Sequence, residues 1–358
     1  MVKFQLLRER VIRQAMKAWR VYDINDMRLE EVPIPEVRPG WLLARVKAFQ
    51  PSITEIQRFR GIIQRGLADM KEKIRTTGPI CMGHELCAVV EAVVDDCDLQ
   101  EGDRIAYFHH DYKVAGHHYP GCFAEYILLP INTVSKMDPV IPDIEGPALQ
   151  PFSACVPYVK EANVRIGETV AIFGQGVMGT NITQLCHLTG AGRIIGVDVR
   201  DECLHVAREL GADITINASQ QNPVQAILDL TGGKGADVAF ECASGSPDVG
   251  LSGSKTLFDA IGAVRQSGRL VEAAFFHDKV TLDPNLLRAK RIKYIFPDEA
   301  TGVDMEMGIQ FVAQGKIRLK PSITHVLHGI EKLPEAIDIT ANKARHGAIN
   351  PAVVVVST

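Results

Sequence analysis

The sequence contains no hydrophobic run long enough to cross a bilayer and no concentrated run of basic residues. A membrane-spanning helix needs about 20 consecutive apolar residues, so no integral membrane segment is predicted. Proteins that bind nucleic acid or an anionic membrane need a concentrated basic face, whereas this chain has a net charge of −4. We therefore predict no nucleic-acid partner and no membrane partner.

The eight cysteines form no C-x-x-C pair, and several lie inside apolar runs. Cysteines in such positions behave as small hydrophobic side chains, whereas a metal or disulfide framework requires a regular, close spacing. Free thiols fit a reducing compartment. The expected location is therefore the cytoplasm.

The first 15 residues, MVKFQLLRERVIRQA, are rich in basic side chains. They have neither the apolar core nor the small-residue cleavage pattern of a signal peptide. A mitochondrial transit peptide is the alternative, but the segment is short, contains an acidic residue and has no serine. Because Met16 is a second plausible start, we interpret residues 1–15 as an N-terminal extension.

The 358 residues provide enough chain for two domains of ordinary size. Residues 16–155 contain short strand-like runs separated by turn residues, of which WLLARVKAF is the clearest example of alternation. Residues 156–296 alternate buried strands with amphipathic helices, which predicts a parallel sheet with right-handed crossovers. The tail, residues 297–358, is expected to fold back onto the N-terminal β domain, which would make that domain discontinuous.

A glycine-rich turn, Gly174-Gln175-Gly176-Val177-Met178-Gly179, directly follows the strand-like run TVAIF and opens a predicted helix. Gly174 permits a tight turn, Gly176 lets the backbone approach a pyrophosphate, and Gly179 lets the helix pack close to the strand. The helix N-terminus, at Val177 and Met178, favours the negative charge of the phosphates. This turn therefore predicts a dinucleotide-binding site.

An acidic residue, Asp198, ends the next predicted strand. Its carboxylate is expected to accept hydrogen bonds from the adenosine ribose and to repel a 2′-phosphate, which favours NAD over NADP. Arg200 lies two residues further on and would partly offset that repulsion if it reached the cofactor. Its alternative interpretation is an ordinary surface arginine.

The chain from Met16 onwards resembles the medium-chain dehydrogenase/reductase superfamily, in particular its zinc-dependent alcohol and polyol dehydrogenase branch. The matching segments, in order, are MKAWRVYD, LEEVPIPEVRPGWLLARVKA, Gly83-His84-Glu85, EGDRIA, GCFAEYILLP, ALQPFSA, the glycine-rich turn, GVDVRDECLHVARELGAD and TGGKGADVAFECA. The resemblance implies an α/β fold class, with a GroES-like β-rich catalytic domain, a Rossmann doubly wound parallel sheet and an active-site cleft between them. It also implies a homodimer or homotetramer, with the Rossmann sheets meeting edge to edge through the RLVEAAF region.

The sequence departs from that branch at the residues that hold its catalytic zinc. The branch typically uses a Cys in a C-G-T-D-like segment, the His of G-H-E, and a Glu, Asp or Cys before the Rossmann domain. Here Ser52 replaces the Cys and Gln150 replaces the Glu, while His84 and Glu85 remain. A hydroxyl is a poor substitute for a thiolate. Zinc at His84, Glu85 and Gln150, and a site without metal, are both open at this stage.

The branch often carries a structural zinc held by four closely spaced cysteines, and this chain has no such cysteine pattern. No structural zinc is therefore expected. A loop with two histidine pairs, His109-His110 and His117-His118, takes that place in the sequence. Imidazole is a good metal ligand, but the spacing matches no known site. We interpret the loop as a polar segment whose histidines could touch substrate.

The resemblance also assigns proton-handling roles. Thr54 occupies the hydroxyl relay position, and Glu55 matches an acidic position that could orient or act as a general base if burial raises its pKa. Without metal, Ser52, Thr54, Glu55 and His84 would have to stabilise the substrate oxygen and transfer the proton.

Three functions follow from these observations. The first is an NAD-dependent dehydrogenase of a secondary alcohol, polyol or sugar, or a reductase of the matching ketone, with a weakened zinc site. The second is a metal-free reductase or dehydrogenase that acts on an activated carbonyl, and the third is a cofactor-binding regulator without catalysis. The expected partner is a small-molecule alcohol or ketone substrate.

Overall fold

The computed structural model describes residues 15–64, 66–243 and 253–356. They form two compact units, and each unit is made of more than one segment of the chain. The first unit runs up to Ser153 and adds Ala300–Gln314 and the segment from Ile323, and the second comprises Ala154–Glu299 and Gly315–Ser322. The predicted N-terminal extension lies outside the described residues except for Ala15, which begins the first strand. The predicted domain limits stay a prediction.

The first unit is built mainly from antiparallel strands. They are β1 (Ala15–Asp23), β2 (Asp26–Pro33), β3 (Trp41–Gln50), β4 (Glu85–Val93), β5 (Arg104–Tyr107), β6 (Tyr126–Pro130), β7 (Val134–Lys136), β14 (Val326–His328) and β15 (Val353–Val355). Strands β1 and β2 pair with each other, and the remaining strands form one sheet in the order β14-β15-β3-β4-β5-β7, with β6 added beside β3. The C-terminal strand β15 therefore pairs with β3 in the N-terminal part of the chain.

Strand β3 is the centre of this sheet, and seven of its ten residues are buried. It pairs with β4, β6 and β15, all antiparallel. The end of β3 leads through Gln50 and Pro51 into the first helix. This connection positions the Ser52–Glu55 segment beside the start of β4, where Glu85 pairs with Gln50.

Six helices accompany these strands in the described residues. They are α1 (Ile53–Phe59), α2 (Leu67–Thr77), α3 (Leu149–Ala162, which runs from the first unit into the second), α9 (Gly302–Ala313), α10 (Leu333–Ala341) and α11 (Lys343–His346). Residues 53–77 form two helices, α1 and α2, and not one continuous helix. Gly61 and Gly66 both adopt left-handed backbone conformations, with φ of 72° and 70°. Such conformations interrupt a right-handed helix, so this segment divides into α1 and α2.

The second unit is a six-stranded parallel sheet with helical crossovers. Its elements are β8 (Thr169–Phe173), α4 (Val177–Leu188), β9 (Arg193–Asp198), α5 (Asp201–Glu209), β10 (Ile214–Asn217), α6 (Pro223–Leu230), β11 (Ala236–Glu241), α7 (Lys255–Ala263), β12 (Val264–Glu272), α8 (Pro284–Lys290) and β13 (Lys293–Ile295). The strand order is β10-β9-β8-β11-β12-β13, and all pairs are parallel. This is the order of a Rossmann sheet. The predicted α/β fold class, with its β-rich unit and its doubly wound sheet, is confirmed.

The expectation that the RLVEAAF segment forms the contact edge was wrong. Strand β12, which contains most of that segment, is hydrogen-bonded to β11 on one side and to β13 on the other. The edge of the sheet on this side is instead β13, a strand of three residues. An unpaired row of backbone groups is available only at an edge strand, so pairing between two such sheets on this side would use β13 and not β12.

Across the described segments, no helix has both the length and the apolar character that a membrane crossing requires.

Candidate active site and cofactor site

The glycine-rich turn lies between β8 and α4, at the carboxyl end of the central strand. Gly174 has a φ of 92°, a backbone conformation that side chains disfavour. A Cβ atom on Gly179 would lie 1.7 Å from the carbonyl oxygen of Gly174, so only glycine allows this close helix–strand approach. A Cβ atom on Gly176 would meet no atom within 4 Å. The surface above Gly176 is therefore open for a ligand that approaches the backbone closely.

Helix α4 begins at this turn without a side-chain cap. Gly176 is its N-cap residue and makes no side-chain hydrogen bond, while Val177 and Met178 occupy the first turn. The first N–H groups of a helix have no intrahelical partner and carry a partial positive charge. A pyrophosphate would satisfy those groups.

Asp198 ends β9, the strand next to β8. Its Oδ2 atom accepts a hydrogen bond from the backbone N of Gln175 at 2.7 Å, and its Oδ1 atom accepts one from the backbone N of Arg200 at 2.9 Å. These bonds hold the carboxylate beside the glycine-rich turn. The Arg200 side chain lies 3.9 Å from the Glu202 carboxylate, so part of its positive charge is already balanced.

Ser52 is the N-cap residue of helix α1. Its hydroxyl oxygen accepts a hydrogen bond from the backbone N of Glu55, and the Glu55 carboxylate accepts one in return from the backbone N of Ser52. This reciprocal arrangement is a capping box, which satisfies two backbone donors at the helix start. The serine at the position of the family's zinc-binding cysteine therefore has a structural task.

The other oxygen of Glu55 binds His84. The Glu55 Oε1 atom lies 2.9 Å from His84 Nδ1 and also accepts a hydrogen bond from the backbone N of Gly83 at 2.8 Å. Only 4% of the Glu55 side chain and 14% of the His84 side chain are exposed. With Nδ1 held by the carboxylate, His84 presents Nε2 as its available nitrogen.

These contacts change the pKa of both groups. Burial raises the pKa of Glu55, but the charge and hydrogen bond of His84, with the Ser52 and Gly83 amides, lower it overall. Burial lowers the pKa of His84, but the Glu55 charge and hydrogen bond outweigh this and raise it. The predicted role of Glu55 as a general base required a raised pKa. The observed surroundings instead keep Glu55 ionised as a partner of His84.

Glu85 faces the same histidine from the start of β4. Its Oε2 atom accepts a hydrogen bond from Gln50 Nε2 at 2.6 Å, and its Oε1 atom lies 3.9 Å from His84 Nε2. Burial raises the pKa of Glu85 to about 7, although His84 and Gln50 act in the opposite direction. Gln50 was not predicted, and its side chain is fully buried at the end of an apolar strand. The signal in the sequence was an amide side chain at the end of a strand-like run.

The remaining predicted side chains lie in the same unit. Thr54 is half-buried on the first turn of α1. Gln150 is buried at the start of α3. Within the described ranges, no group of three or more His, Cys, Asp or Glu side chains is arranged to hold a metal ion.

The two histidine pairs of the 109–118 loop have different surroundings. The His109 ring packs edge-on against His84, with ring centroids 5.1 Å apart, and also against Tyr107 at 5.8 Å. His118 Nδ1 instead accepts a hydrogen bond from the backbone N of Val114, and its ring packs against that of His117. The structure thus brings His109, which was not singled out within its loop, beside the Glu55–His84 pair.

Replacing Ser52 with alanine tests the capping role. The change removes the oxygen that accepts from the Glu55 amide, so we expect a loss of about 1 kcal/mol in the free energy of unfolding. Ser52→Thr retains the acceptor oxygen and is the matched control. Thermal or denaturant unfolding of both variants measures the effect, and equal stability of Ser52→Ala and wild type would show that the cap contributes nothing.

Two family profiles match the chain, one in each unit. The profile of the zinc-binding dehydrogenase family matches residues 177–296, and that of the alcohol dehydrogenase GroES-like domain matches residues 38–139.

Characterised relatives cover most of the chain. An NAD-dependent alcohol dehydrogenase from Sulfurisphaera tokodaii is 27% identical over 91% of this chain and 97% of its own length. An erythritol/L-threitol dehydrogenase from Mycolicibacterium smegmatis is 27% identical over 76% of this chain and 80% of its own. An L-threonine 3-dehydrogenase from Bacillus velezensis is 30% identical over 63% of this chain and 69% of its own.

A solved structure shares the fold. The crystal structure of a Sinorhizobium meliloti protein bound to NADP superposes with a TM-score of 0.82 over 96% of this chain and 100% of its own, at 24% identity.

Proposed function

Because the chain belongs to the zinc-dependent alcohol and polyol dehydrogenase-like branch of the medium-chain dehydrogenase/reductase superfamily, we propose that it oxidises a secondary alcohol, polyol or sugar, or reduces the matching ketone. It is an NAD-dependent oxidoreductase of alcohols. The observation that carries the finer proposal is the Glu55–His84 pair, which leaves one imidazole nitrogen available for proton transfer.

The second unit holds the cofactor in this proposal. The residues fit NAD, since Gly176 leaves the backbone open, the uncapped N–H groups at Val177 and Met178 would bind the phosphates, and Asp198 is fixed beside the turn. Gly174 and Gly179 make the turn tight enough for this arrangement. NAD supplies the nicotinamide that accepts hydride from the substrate carbon. Arg200 is proposed to remain with Glu202, which keeps NAD favoured over NADP.

The first unit handles the proton. His84 Nε2 accepts the proton of the substrate hydroxyl as hydride leaves the carbon, and the Glu55 carboxylate stabilises the imidazolium that forms. Ser52 and the Gly83 amide keep Glu55 in place. Thr54, next to this pair on α1, is proposed to pass the proton onward to solvent. In the reverse direction His84 returns the proton to the carbonyl oxygen.

The residues present do not fit the tetrahedral zinc of the family. Catalytic zinc sites use three protein ligands, commonly thiolate, imidazole or carboxylate. His84 and Glu85 supply two such donors, but the Ser52 hydroxyl caps a helix and Gln150 offers only a neutral amide. Glu85 also accepts a hydrogen bond from Gln50, so one of its oxygens is already engaged. The mechanism therefore rests on His84, Glu55 and Thr54 alone.

Metal analysis tests this point. We expect purified protein to contain well under one zinc ion per chain, and its NAD reduction on a panel of polyols to be unchanged by a chelator. The matched variant is Ser52→Cys with Gln150→Glu, which restores a thiolate and a carboxylate and should bind about one zinc per chain. One zinc per chain in the wild type, with activity lost on chelation, would overturn the metal-free mechanism.

The second candidate is a reductase of an activated carbonyl. The observation that favours it is Ser52, whose hydroxyl is engaged in the capping box and does not replace a zinc ligand. A site without a Lewis acid is best suited to a carbonyl whose carbon is already strongly electrophilic. Ketones with an electron-withdrawing neighbour, assayed with NADH, distinguish it from polyol oxidation. Turnover of neither class, with retained NAD binding, would indicate a regulator instead.

We also propose a cytoplasmic homodimer or homotetramer. The support for an oligomer is the edge strand β13 of the parallel sheet, which is available for pairing with a second copy.

A further inference from the structure

Two glutamates face each other at the carboxyl ends of neighbouring strands in the second unit. Glu241 ends β11 and Glu272 ends β12, and the two residues are partners in the parallel register. The Glu241 side chain is fully buried, and Glu272 is 8% exposed. No predicted function used either residue. Two buried carboxyl groups side by side are costly unless something compensates them.

Each carboxyl has one oxygen with a donor and one without. Glu241 Oε1 accepts from the Thr256 hydroxyl at 2.5 Å and from the Ala243 amide at 3.0 Å, and Glu272 Oε2 accepts from the Tyr294 hydroxyl at 2.8 Å. Glu241 Oε2 and Glu272 Oε1 are buried and have no donor among the described residues. One proton shared between these two oxygens satisfies both.

The surroundings favour this singly protonated state. Burial is the largest cause that raises the pKa of Glu272, and the hydrogen bond with Glu241 and the charge of Glu241 raise it further, to about 9. Among the described residues, the other titratable groups that interact with the pair are Tyr294 from β13 and Cys242, which follows β11, and burial raises the pKa of both. With the shared proton in place, the pair carries one negative charge.

The position of the pair relates it to one half of the cofactor. In a Rossmann sheet the dinucleotide lies across the carboxyl ends of the strands, and each half of the sheet receives one mononucleotide. Asp198 on β9 marks the adenosine half. The nicotinamide half is then β11, β12 and β13, where Glu241, Glu272 and Tyr294 lie.

We propose that the Glu241–Glu272 pair sets the preference of the protein between the two oxidation states of its cofactor, because its negative charge favours the cationic nicotinamide of NAD+ over the neutral ring of NADH. Loss of the shared proton doubles the charge and strengthens the preference. The orphan oxygens are buried, so the pair acts through its field and not by direct contact. This inference rests on the cofactor placement given under the proposed function.

The size of the effect follows from Coulomb's law. A unit charge roughly 10 Å from the ring, at an effective dielectric constant of about 20, changes the relative affinity by about tenfold. The second charge adds a comparable factor. Both are large enough to measure in a binding experiment that does not depend on turnover.

The test measures the dissociation constants of NAD+ and NADH, by calorimetry and by NADH fluorescence, from about pH 7 to about pH 10. The wild type should bind NAD+ increasingly well relative to NADH as pH rises through the titration of the pair. Glu272→Gln should match the wild type near pH 7 and lose this pH dependence. Glu241→Gln with Glu272→Gln should shift the ratio towards NADH by about tenfold near pH 7 and by a larger factor near pH 10, and its own ratio should not change with pH. Asp229→Asn removes an exposed charge of the same unit and should change nothing.

A ratio that is independent of pH in the wild type, or an unchanged ratio in the double variant, would overturn the inference. The wild-type titration decides the question even if the variants fold poorly. Absence of any NAD+ or NADH binding would instead contradict the proposed cofactor site, so the two failures are distinguishable.

Discussion

Replacement of His84 by alanine is expected to lower kcat/KM for NAD-dependent alcohol oxidation by about 10³-fold. In the proposed mechanism His84 Nε2 is the atom that receives the substrate proton, since Glu55 occupies Nδ1 at 2.9 Å. The dissociation constant of NADH should stay unchanged, because the glycine-rich turn and Asp198 belong to the second unit. Steady-state kinetics and NADH fluorescence together measure both quantities.

Three further measurements give this prediction its specificity. His110→Ala, which removes a partly exposed histidine from the neighbouring loop, should retain wild-type activity. Glu55→Gln should lose less than His84→Ala, about 10²-fold in kcat, because it removes only the partner that stabilises the imidazolium. Added imidazole should partly restore His84→Ala if the lost group is a base. Full activity of His84→Ala would contradict the proposed proton transfer.

Replacement of Gly176 by valine is expected to weaken NAD+ and NADH binding by about 100-fold, with little change in the free energy of unfolding. Gly176 has an extended backbone conformation, and a Cβ atom there meets no protein atom within 4 Å. The fold therefore accepts a side chain at this position. The side chain would occupy the space that the pyrophosphate needs in order to reach the backbone, and the lost phosphate contacts are worth about 3 kcal/mol in total.

A graded series checks this explanation. Gly176→Ala should weaken binding less than Gly176→Val, because the obstruction is smaller. Gly179→Ala should instead destabilise the protein itself, since the new Cβ atom would lie 1.7 Å from the Gly174 carbonyl oxygen. Thermal unfolding separates the two outcomes. Equal cofactor affinity in Gly176→Val and wild type would mean that the phosphates bind elsewhere.

The parallel sheet and its glycine-rich turn were predictable because their signals are local in the sequence. TVAIF reads as a buried strand, and its five residues form β8 with four of them fully buried. Gly174 and Gly179 follow it at the spacing that a tight turn and a close helix packing require. The end of β9 at Asp198 is equally local, because the apolar run IIGV that follows Arg193 stops at this charged residue.

The chemistry of the first unit was less predictable because it depends on contacts between distant residues. Ser52 is a plausible oxygen donor in the sequence, but the fold uses its hydroxyl and its amide in the capping box with Glu55. Glu55 was interpreted as an orienting group or a general base, yet the approach of β4 places His84 against it and lowers its pKa. Nothing in the residues next to Glu55 indicates that partner.

The same holds for the Glu241–Glu272 pair. Each glutamate interrupts an apolar run within DVAFECA or RLVEAAF, and such a residue on its own carries little information. The two face each other only because β11 and β12 are neighbours in the sheet and end in register. Sheet order and register are properties of the folded chain, so the pair could not be inferred beforehand.

The sequence by itself determined the two-part architecture, the dinucleotide turn and the loss of the family's zinc-binding cysteine, because periodicity, glycine spacing and side-chain identity are properties of short segments. Only the tertiary structure decided which groups act together: Glu55 with His84, Gln50 with Glu85, and Glu241 with Glu272. The reason is that ionisation and hydrogen bonding depend on burial and on neighbours within a few ångströms, and those neighbours are brought together by strand pairing across long stretches of chain.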